Sequence, residues 1–192
     1  MLKLRWPVWV SLMGALSLTA CATPQGPVMS AQAFESRYPP SSTLLGPGDK
    51  LKLSLYGDDA LSGEYQVASD GTVSLPLVGA LPAAGKDVPA FAKSVETALA
   101  NGFYTTPKVS VQLASVRPIY VLGEVNQPGS FPYVPDLTLA KAAALAGGYT
   151  YRAKIGTIAI RRTGMEQEVV VDATQAMPLA PGDTVRILER FF

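Results

Sequence analysis

The stretch from residue 117 to residue 150 constrains the fold most, because a hairpin, a helix and a glycine stop follow one another in it. Two β-prone runs flank a polar turn within residues 119–135. Pro128 and Gly129 fit the central positions of a type II turn, where glycine accepts the positive φ. This segment is therefore predicted to form a β-hairpin.

A short helix is predicted directly after the hairpin. Asp136 or Thr138 is a candidate for its N-cap, and Gly147 and Gly148 provide a glycine stop at its C-terminus. The residues that recur at helical spacing are Leu137, Ala140, Ala144 and Leu145. This unit is too small to bury a core alone, so it must pack against other parts of the chain.

The hairpin and the helix together resemble the soluble-ligand-binding β-grasp (SLBB) module of outer-membrane polysaccharide export lipoproteins of the Wza type. The resemblance rests on two motifs in a fixed order. The first comprises Val121, Gly123, Glu124, Val125, Pro128, Gly129 and Phe131, and the second comprises Leu137, Thr138, Leu139, Ala146, Gly147 and Gly148.

The preceding part of the chain predicts a mixed α and β module. Residues 50–56 alternate between polar and apolar side chains, as a half-buried strand does, and residues 57–59 are expected to break that strand. Further strands are predicted at residues 65–68, 72–75 and 108–114. A helix is predicted between an Asp87 cap and the Asn101-Gly102 stop.

This first module, residues 44–113, resembles the polysaccharide export domain that precedes the β-grasp module in the same family. The matching motif residues are Pro47, Gly48, Asp49, Asp70, Gly71, Pro76 and Gly79. The two resemblances together cover nearly all of the chain after residue 43.

A nine-residue pattern occurs twice, at residues 45–53 and 179–187. In each copy a Pro-Gly-Asp turn leads into an alternating strand, and the second turn consists of Pro181, Gly182 and Asp183. Aspartate in such turns accepts hydrogen bonds from nearby backbone N–H groups. The repeat is predicted to be structural, without chemistry of its own.

The N-terminus is typical of a secreted lipoprotein. Residues 1–20 have a charged beginning followed by an apolar run, as signal peptides do. Leu18, Thr19, Ala20 and Cys21 resemble a bacterial lipobox, which implies that Cys21 is lipidated and becomes the first mature residue. The residue after Cys21 is not aspartate, and this resembles the sorting signal that directs lipoproteins to the outer membrane. Residues 21–43, rich in proline, serine and alanine, are predicted to be a tether.

Composition excludes several classes of function. The chain contains no histidine, which removes histidine-based nucleophile activation and the common zinc and iron sites, so we expect no metal and no cofactor. Cleavage after residue 20 removes Lys3 and Arg5, which leaves two basic residues fewer than the 16 of the full chain, against 15 acidic ones. A chain so close to neutral, without a basic run, is not expected to bind nucleic acid.

Three other interpretations receive less weight. Asp58, Asp59 and Glu64 fit no known calcium loop, so a solvated acidic turn is favoured. No spacing in the sequence identifies a particular pair of carboxylates that could cleave a glycosidic bond. Five tyrosines have the chemistry to stack on sugar rings, but strand packing is favoured for them: Tyr104, Tyr120, Tyr133, Tyr149 and Tyr151.

We therefore predict an α+β protein of two small modules, an export domain at residues 44–115 and a β-grasp domain at residues 116–192, with no enzymatic activity. The resemblance implies a lipid-anchored protein of the outer membrane, facing the periplasm, that forms a homo-oligomeric ring for polysaccharide export. An inner-membrane copolymerase would supply the polymer. Because the sequence ends at Phe192 without a recognisable spanning segment, a separate outer-membrane β-barrel is expected to complete the conduit.

Two alternatives remain open at the level of sequence. The first is a lipid-anchored periplasmic module that binds a soluble ligand such as a glycan and belongs to no pore. The second is a glycan-processing enzyme, for which converging carboxylates in a cleft would be required.

Overall fold

The computed structural model describes residues 28–40 and 43–190. Their elements form a six-stranded, a three-stranded and a two-stranded sheet with three helices. In chain order they are β1 (Met29–Ser30), α1 (Ala31–Arg37), β2 (Lys50–Leu55), β3 (Asp58–Gln66), β4 (Thr72–Leu75), β5 (Gly79–Pro82), α2 (Val88–Ala100), β6 (Val109–Ser115), β7 (Ile119–Gly123), β8 (Gly129–Phe131), α3 (Leu139–Leu145), β9 (Ala153–Arg161), β10 (Val169–Asp172) and β11 (Thr184–Glu189). The predicted α+β class is confirmed.

The first module is an antiparallel sheet of order β3-β2-β6 that packs against α2. β2 alternates strictly between exposed and buried residues, so one face of the sheet is apolar and the other is polar. The apolar face shares a core with α2 through residues Leu51, Leu53, Leu55, Phe91, Val95 and Leu99. The predicted Asp87 cap is present, since its carboxylate accepts the N–H of Ala90 at 2.7 Å.

The predicted break at residues 57–59 is wrong in extent. β3 begins at Asp58, so that only a tight turn at Tyr56 and Gly57 separates it from β2. Gly57 has a φ of 85°, which lets the chain reverse in so short a turn. The acidic residues that follow therefore belong to a strand and not to an open loop.

The second module has the strand order β10-β9-β11-β7-β8, in which the central pair, β11 and β7, is parallel and the other pairs are antiparallel. The helix α3 follows the first hairpin. This is the arrangement of a β-grasp fold, as the resemblance implied. The buried residues of this module form a core separate from that of the first module.

The prediction of a tether over residues 21–43 is wrong for the segment around α1. β1 pairs in parallel with β10, so that Met29 lies opposite Val171 and adds a sixth strand to the β-grasp sheet. Phe34 of α1 is completely buried in the core of the second module. Burial of this one large aromatic side chain holds the short helix against the second module, although the composition of the segment is that of a linker.

The hairpin of residues 119–135 is confirmed, but its predicted turn is not. β7 and β8 pair antiparallel, with Ile119 opposite Phe131. Gly129 lies inside β8 and does not adopt the positive φ that a type II turn requires, whereas Gly123 has a φ of 80°. Gly147 and Gly148 also have positive φ and end α3, as predicted.

The predicted signal peptide, the lipobox and Cys21 lie outside the described residues, and these interpretations stay predictions. Across residues 28–40 and 43–190, no helix combines the length and the hydropathy that crossing a bilayer requires.

Candidate functional site: the junction of the two modules

The two copies of the sequence repeat lie side by side at the junction of the modules, and each places its aspartate in the interior. Asp49 is 1% exposed and Asp183 is 0% exposed. Each carboxylate accepts the backbone N–H three residues earlier, Gly46 N to Asp49 Oδ2 at 2.8 Å and Ala180 N to Asp183 Oδ2 at 2.8 Å. This agrees with the turn chemistry expected of aspartate.

Each buried aspartate also holds an arginine. Asp49 accepts the backbone N–H of Arg117 at 2.9 Å and its Nη1 at 2.8 Å. Asp183 accepts Nη2 of Arg162 at 2.9 Å and Nε at 3.1 Å. Charge-assisted bonds of this kind are the strongest polar contacts in a protein interior. The same turn thus holds an arginine through a buried aspartate in both copies of the repeat.

Arg117 connects the two repeats to one another. Its Nε donates to the carbonyl oxygen of Pro181 at 3.0 Å, while its Nη1 donates to Asp49 in the other module. A Cβ at Gly46 would lie 2.5 Å from Nη1, and a Cβ at Gly182 would lie 2.9 Å from Nε. These two turn glycines therefore leave the space through which the arginine crosses from one module to the other.

Arg162 connects the N-terminal helix to the same junction. Its guanidinium donates to the carbonyl oxygens of Tyr38 and Pro178 and lies 5.0 Å from the ring centroid of Phe34. Burial raises the pKa of the Asp183 carboxyl, and the hydrogen bonds from Arg162 oppose this increase. The pair is therefore a fully enclosed connection between α1 and the β-grasp sheet.

The sequence analysis assigned no role to these two arginines. The repeat was a signal that could have suggested them, because two buried aspartates require two cations. A cavity of about 210 Å³ adjoins the pairs and is lined mainly by apolar atoms, including those of Pro39, Leu44 and Pro181. Both guanidinium groups are engaged by protein acceptors, so the contacts of the junction connect parts of the fold to one another.

The two motifs that carry the β-grasp resemblance bind each other. Gln127 N donates to Ala146 O at 2.9 Å, and Asn126 N donates to Gly148 O at 3.0 Å. The hydroxyl of Thr150 donates to the carboxylate of Glu124. The segment that follows β7 thus satisfies carbonyl groups at the end of α3, which helices otherwise leave without partners.

Among the motif residues of the export domain, Asp70, Gly71 and Pro76 lie in turns and Gly79 begins β5. Asp70 Oδ1 accepts both the N–H and the hydroxyl of Thr72, at 2.9 and 2.8 Å, and these bonds lower the pKa of its carboxyl. Gly71 and Gly79 have φ of 81° and 75° and turn the chain on either side of β4. The carbonyl of Pro76 accepts the N–H of Val78 at 2.8 Å.

The acidic residues Asp58, Asp59 and Glu64 all lie in β3 and form no cluster suited to a metal ion; the described part of the chain contains no such cluster elsewhere. The hydroxyl of Tyr104 donates to Asp58. That bond is the largest cause of the lowered pKa of the Asp58 carboxyl. These residues therefore connect β3 to the loop after α2.

Three of the five tyrosines serve the fold, as favoured from sequence. Tyr149 donates its hydroxyl to Gln175 at 3.0 Å, Tyr133 packs against the β-grasp core, and Tyr104 binds Asp58. Tyr120 and Tyr151 remain substantially exposed. Tyr120 lies in β7, and Tyr151 lies in the turn before β9.

Comparison with known proteins agrees with this two-module architecture. Residues 37–114 match the family described as "Polysaccharide biosynthesis/export protein", and residues 118–171 match the SLBB domain. The resemblance drawn from the motifs is thereby confirmed for both modules. The positions of the domain boundaries stay predictions.

Curated relatives fall in the same area of biology. The exopolysaccharide production protein ExoF of Rhizobium meliloti (strain 1021) is 44% identical over 91 residues, which are 46% of this chain and 22% of that protein. The polysialic acid transport protein KpsD of Escherichia coli is 29% identical over 107 residues, which are 55% of this chain and 19% of that protein. The matched part thus spans about a fifth of these relatives. The names of these relatives refer to the production and transport of polysaccharides, which agrees with the prediction that the chain is not an enzyme.

Proposed function

Because its two modules match a polysaccharide biosynthesis/export domain and an SLBB domain, we propose that the chain is a subunit of a periplasmic ring through which a polysaccharide leaves the cell. The observation that carries this proposal is the succession of an export domain and an SLBB domain over residues 37–171. The names of the two relatives refer to the production and the transport of polysaccharides, which supports a polysaccharide as the substrate of this chain.

The junction of the modules supports a role as a building block. A ring of identical subunits needs each subunit to hold its contact surfaces in a fixed geometry. The bonds from Arg117 to Asp49 and to Pro181 connect the export domain directly to the β-grasp domain. A subunit braced in this way presents both modules to its neighbours as one body.

The proposal includes the anchor and the partners. Lipidation of Cys21 would hold the ring at the outer membrane, facing the periplasm. The role of this chain is passive, with an inner-membrane copolymerase delivering the polymer and a separate outer-membrane β-barrel completing the path. The competing candidate, a lipid-anchored glycan-binding module outside any pore, differs in that it can function as a monomer.

The test is the location of polysaccharide in a strain from which the gene has been deleted. Wild type should restore surface polymer, while Cys21→Ser should not, because the ring would lose its attachment. Thr23→Ser, a conservative change beyond the lipobox, is the matched control and should behave like wild type. Unchanged surface polymer in a deletion strain that carries no second copy of the gene would exclude the export role.

A further inference from the structure

Four polar side chains form one row across the β-grasp sheet, which we call the outer row. Arg161 of β9 lies opposite Thr184 of β11, and Thr184 in turn lies opposite Tyr120 of β7. Ser130 of β8 lies opposite Tyr120 and completes the row. The strand order β9-β11-β7-β8 makes these residues consecutive across the sheet. Residues paired in this way point to the same face, so a guanidinium, a phenol and two hydroxyls lie side by side.

The outer row faces away from the core of the second module. The residues next to it along the strands, Ile160, Val185 and Val121, are at most 1% exposed and belong to that core. Successive side chains of a strand point to opposite faces, so the row itself is directed outward. Tyr120 is 44% exposed, and Thr184 beside it is half-buried.

Arg161 supplies the charge of the outer row. Its side chain is exposed and forms no ion pair or hydrogen bond within residues 28–40 and 43–190. Arg186, two residues after Thr184 on the same face, instead donates its Nε to Glu168 at 3.1 Å. The guanidinium of Arg161 is therefore available to an external anion, and its planar fork matches the two oxygens of a carboxylate.

Tyr120 and the two hydroxyls supply the other contacts that a saccharide needs. A tyrosine ring is apolar across its face and polar at its tip, so it packs against the C–H face of a sugar ring while its hydroxyl stays in water. The hydroxyls of Thr184 and Ser130 donate and accept hydrogen bonds, as sugar hydroxyls require. Two strand spacings place the Cα atoms of Arg161 and Tyr120 about 10 Å apart, so a sugar unit lying over Thr184 reaches both.

The chemistry of the outer row favours a charged saccharide over other partners. Nucleic acid requires several cations along one surface, and this row offers a single guanidinium. The centre of a protein interface is depleted in charged residues, whereas Arg161 stands within the row. A polysaccharide whose units carry carboxylates presents ring faces, hydroxyls and negative charge together. An open, shallow site binds such a polymer weakly, which suits a polymer that has to move on.

We propose that the outer row binds a carboxylate-bearing sugar unit of a polysaccharide, with Arg161 pairing with the carboxylate and Tyr120 packing on the sugar ring. This inference rests on the proposed export function and adds to it a binding site and a chemical class of polymer.

The first test measures binding of oligogalacturonate and of its methyl ester to the full chain in detergent by isothermal titration calorimetry. The two probes share one sugar chain and differ in the charge of the carboxyl group. Wild type should bind the acid at least about tenfold more tightly than the ester. Arg161→Ala should lose this preference by weakening the binding of the acid alone. Lys154→Ala removes an exposed cation at the other end of β9, and this matched control should bind like wild type.

Variants of Tyr120 test the stacking contact. Tyr120→Ala should weaken the binding of acid and ester by the same factor, because packing on a sugar ring does not depend on the carboxylate charge. Tyr120→Phe keeps the ring and should bind like wild type, and circular dichroism checks that each variant is folded. The proposal would be overturned if wild type bound neither probe, if it bound both equally, or if Arg161→Ala kept the preference for the acid.

The deletion strain separates this inference from the function on which it rests. At equal amounts of protein in the membrane, Arg161→Ala should restore less surface polymer than wild type, and Lys154→Ala should restore as much. If both variants restore the wild-type amount, the outer row is wrong and the export role stands. If deletion leaves surface polymer unchanged, the export role fails, and calorimetry alone decides whether the outer row binds the acidic probe.

Discussion

At the scale of single residues, the glycines of the hairpin motif differ in what the structure demands of them. Gly123 has a φ of 80°, and a Cβ there would lie 2.1 Å from the carbonyl oxygen of Ile187. Gly129 has no heavy atom within 4 Å of the corresponding position. Two residues of one sequence motif therefore carry very different constraints.

This difference makes a paired prediction. Gly123→Ala should lower the free energy of unfolding by about 3 kcal/mol or more, from backbone strain together with the collision with β11. Gly129→Ala should change it by less than about 1 kcal/mol. Urea denaturation measures the free energy of unfolding of both variants. Equal losses of stability at the two positions would show that β7 does not approach β11 closely at Gly123.

The hydrogen bond between Tyr104 and Asp58 predicts a titration shift. Tyr104→Phe removes the largest cause of the lowered carboxyl pKa, so the pKa of Asp58 should rise toward its ordinary value of 3.8. A carboxyl group whose pKa is lower in the folded than in the unfolded protein stabilises the fold at pH values above the unfolded pKa. In wild type this stabilisation by Asp58 should be lost as the pH falls through the lowered pKa. In the variant the stabilisation should be smaller at every pH. Carboxyl carbon NMR titration measures the shift, with Tyr56→Phe as control.

At the scale of elements, Arg117 is the contact between the two repeat turns. Its side chain is 12% exposed and that of Asp49 is 2% exposed. Arg117→Ala would leave a buried carboxylate without its cation and should lower the free energy of unfolding by about 3 kcal/mol. Arg152→Ala breaks a half-exposed pair with Glu189 and should cost at most about 1 kcal/mol. Similar losses in chemical denaturation would argue against a buried junction.

The N-terminal helix makes its own prediction. Phe34→Ala removes the one fully buried side chain of α1 and should destabilise the second module by about 4 kcal/mol. Hydrogen exchange at β10 should accelerate, because β1 pairs with it. Val28→Ala, at an exposed position just before β1, should have an effect of less than about 0.5 kcal/mol. Unchanged exchange in Phe34→Ala would mean that α1 does not dock as described.

Sequence predicted the elements whose signals are local. β2 and α2 follow from alternation and from helical spacing between an aspartate cap and a glycine stop. The docking of α1 was missed because its single buried residue, Phe34, contacts a core that forms far away in sequence. The junction was missed for the same reason, since Arg117 and Asp49 are 68 residues apart.

At the scale of the whole molecule, two observations support the proposed assembly. The chain joins an export domain to an SLBB domain, and Arg117 bridges the two. A subunit whose two modules are braced together holds its contact surfaces in the fixed geometry that a closed ring requires. The central claim is therefore that this chain forms a ring with an axial opening for the polymer.

The most direct measurement is electron microscopy of the full chain extracted from membranes in detergent, with particles classified by their views along the symmetry axis. The expected result is closed rings of identical subunits with a central opening. Particles of single subunits, or open filaments without a common axis, would contradict it.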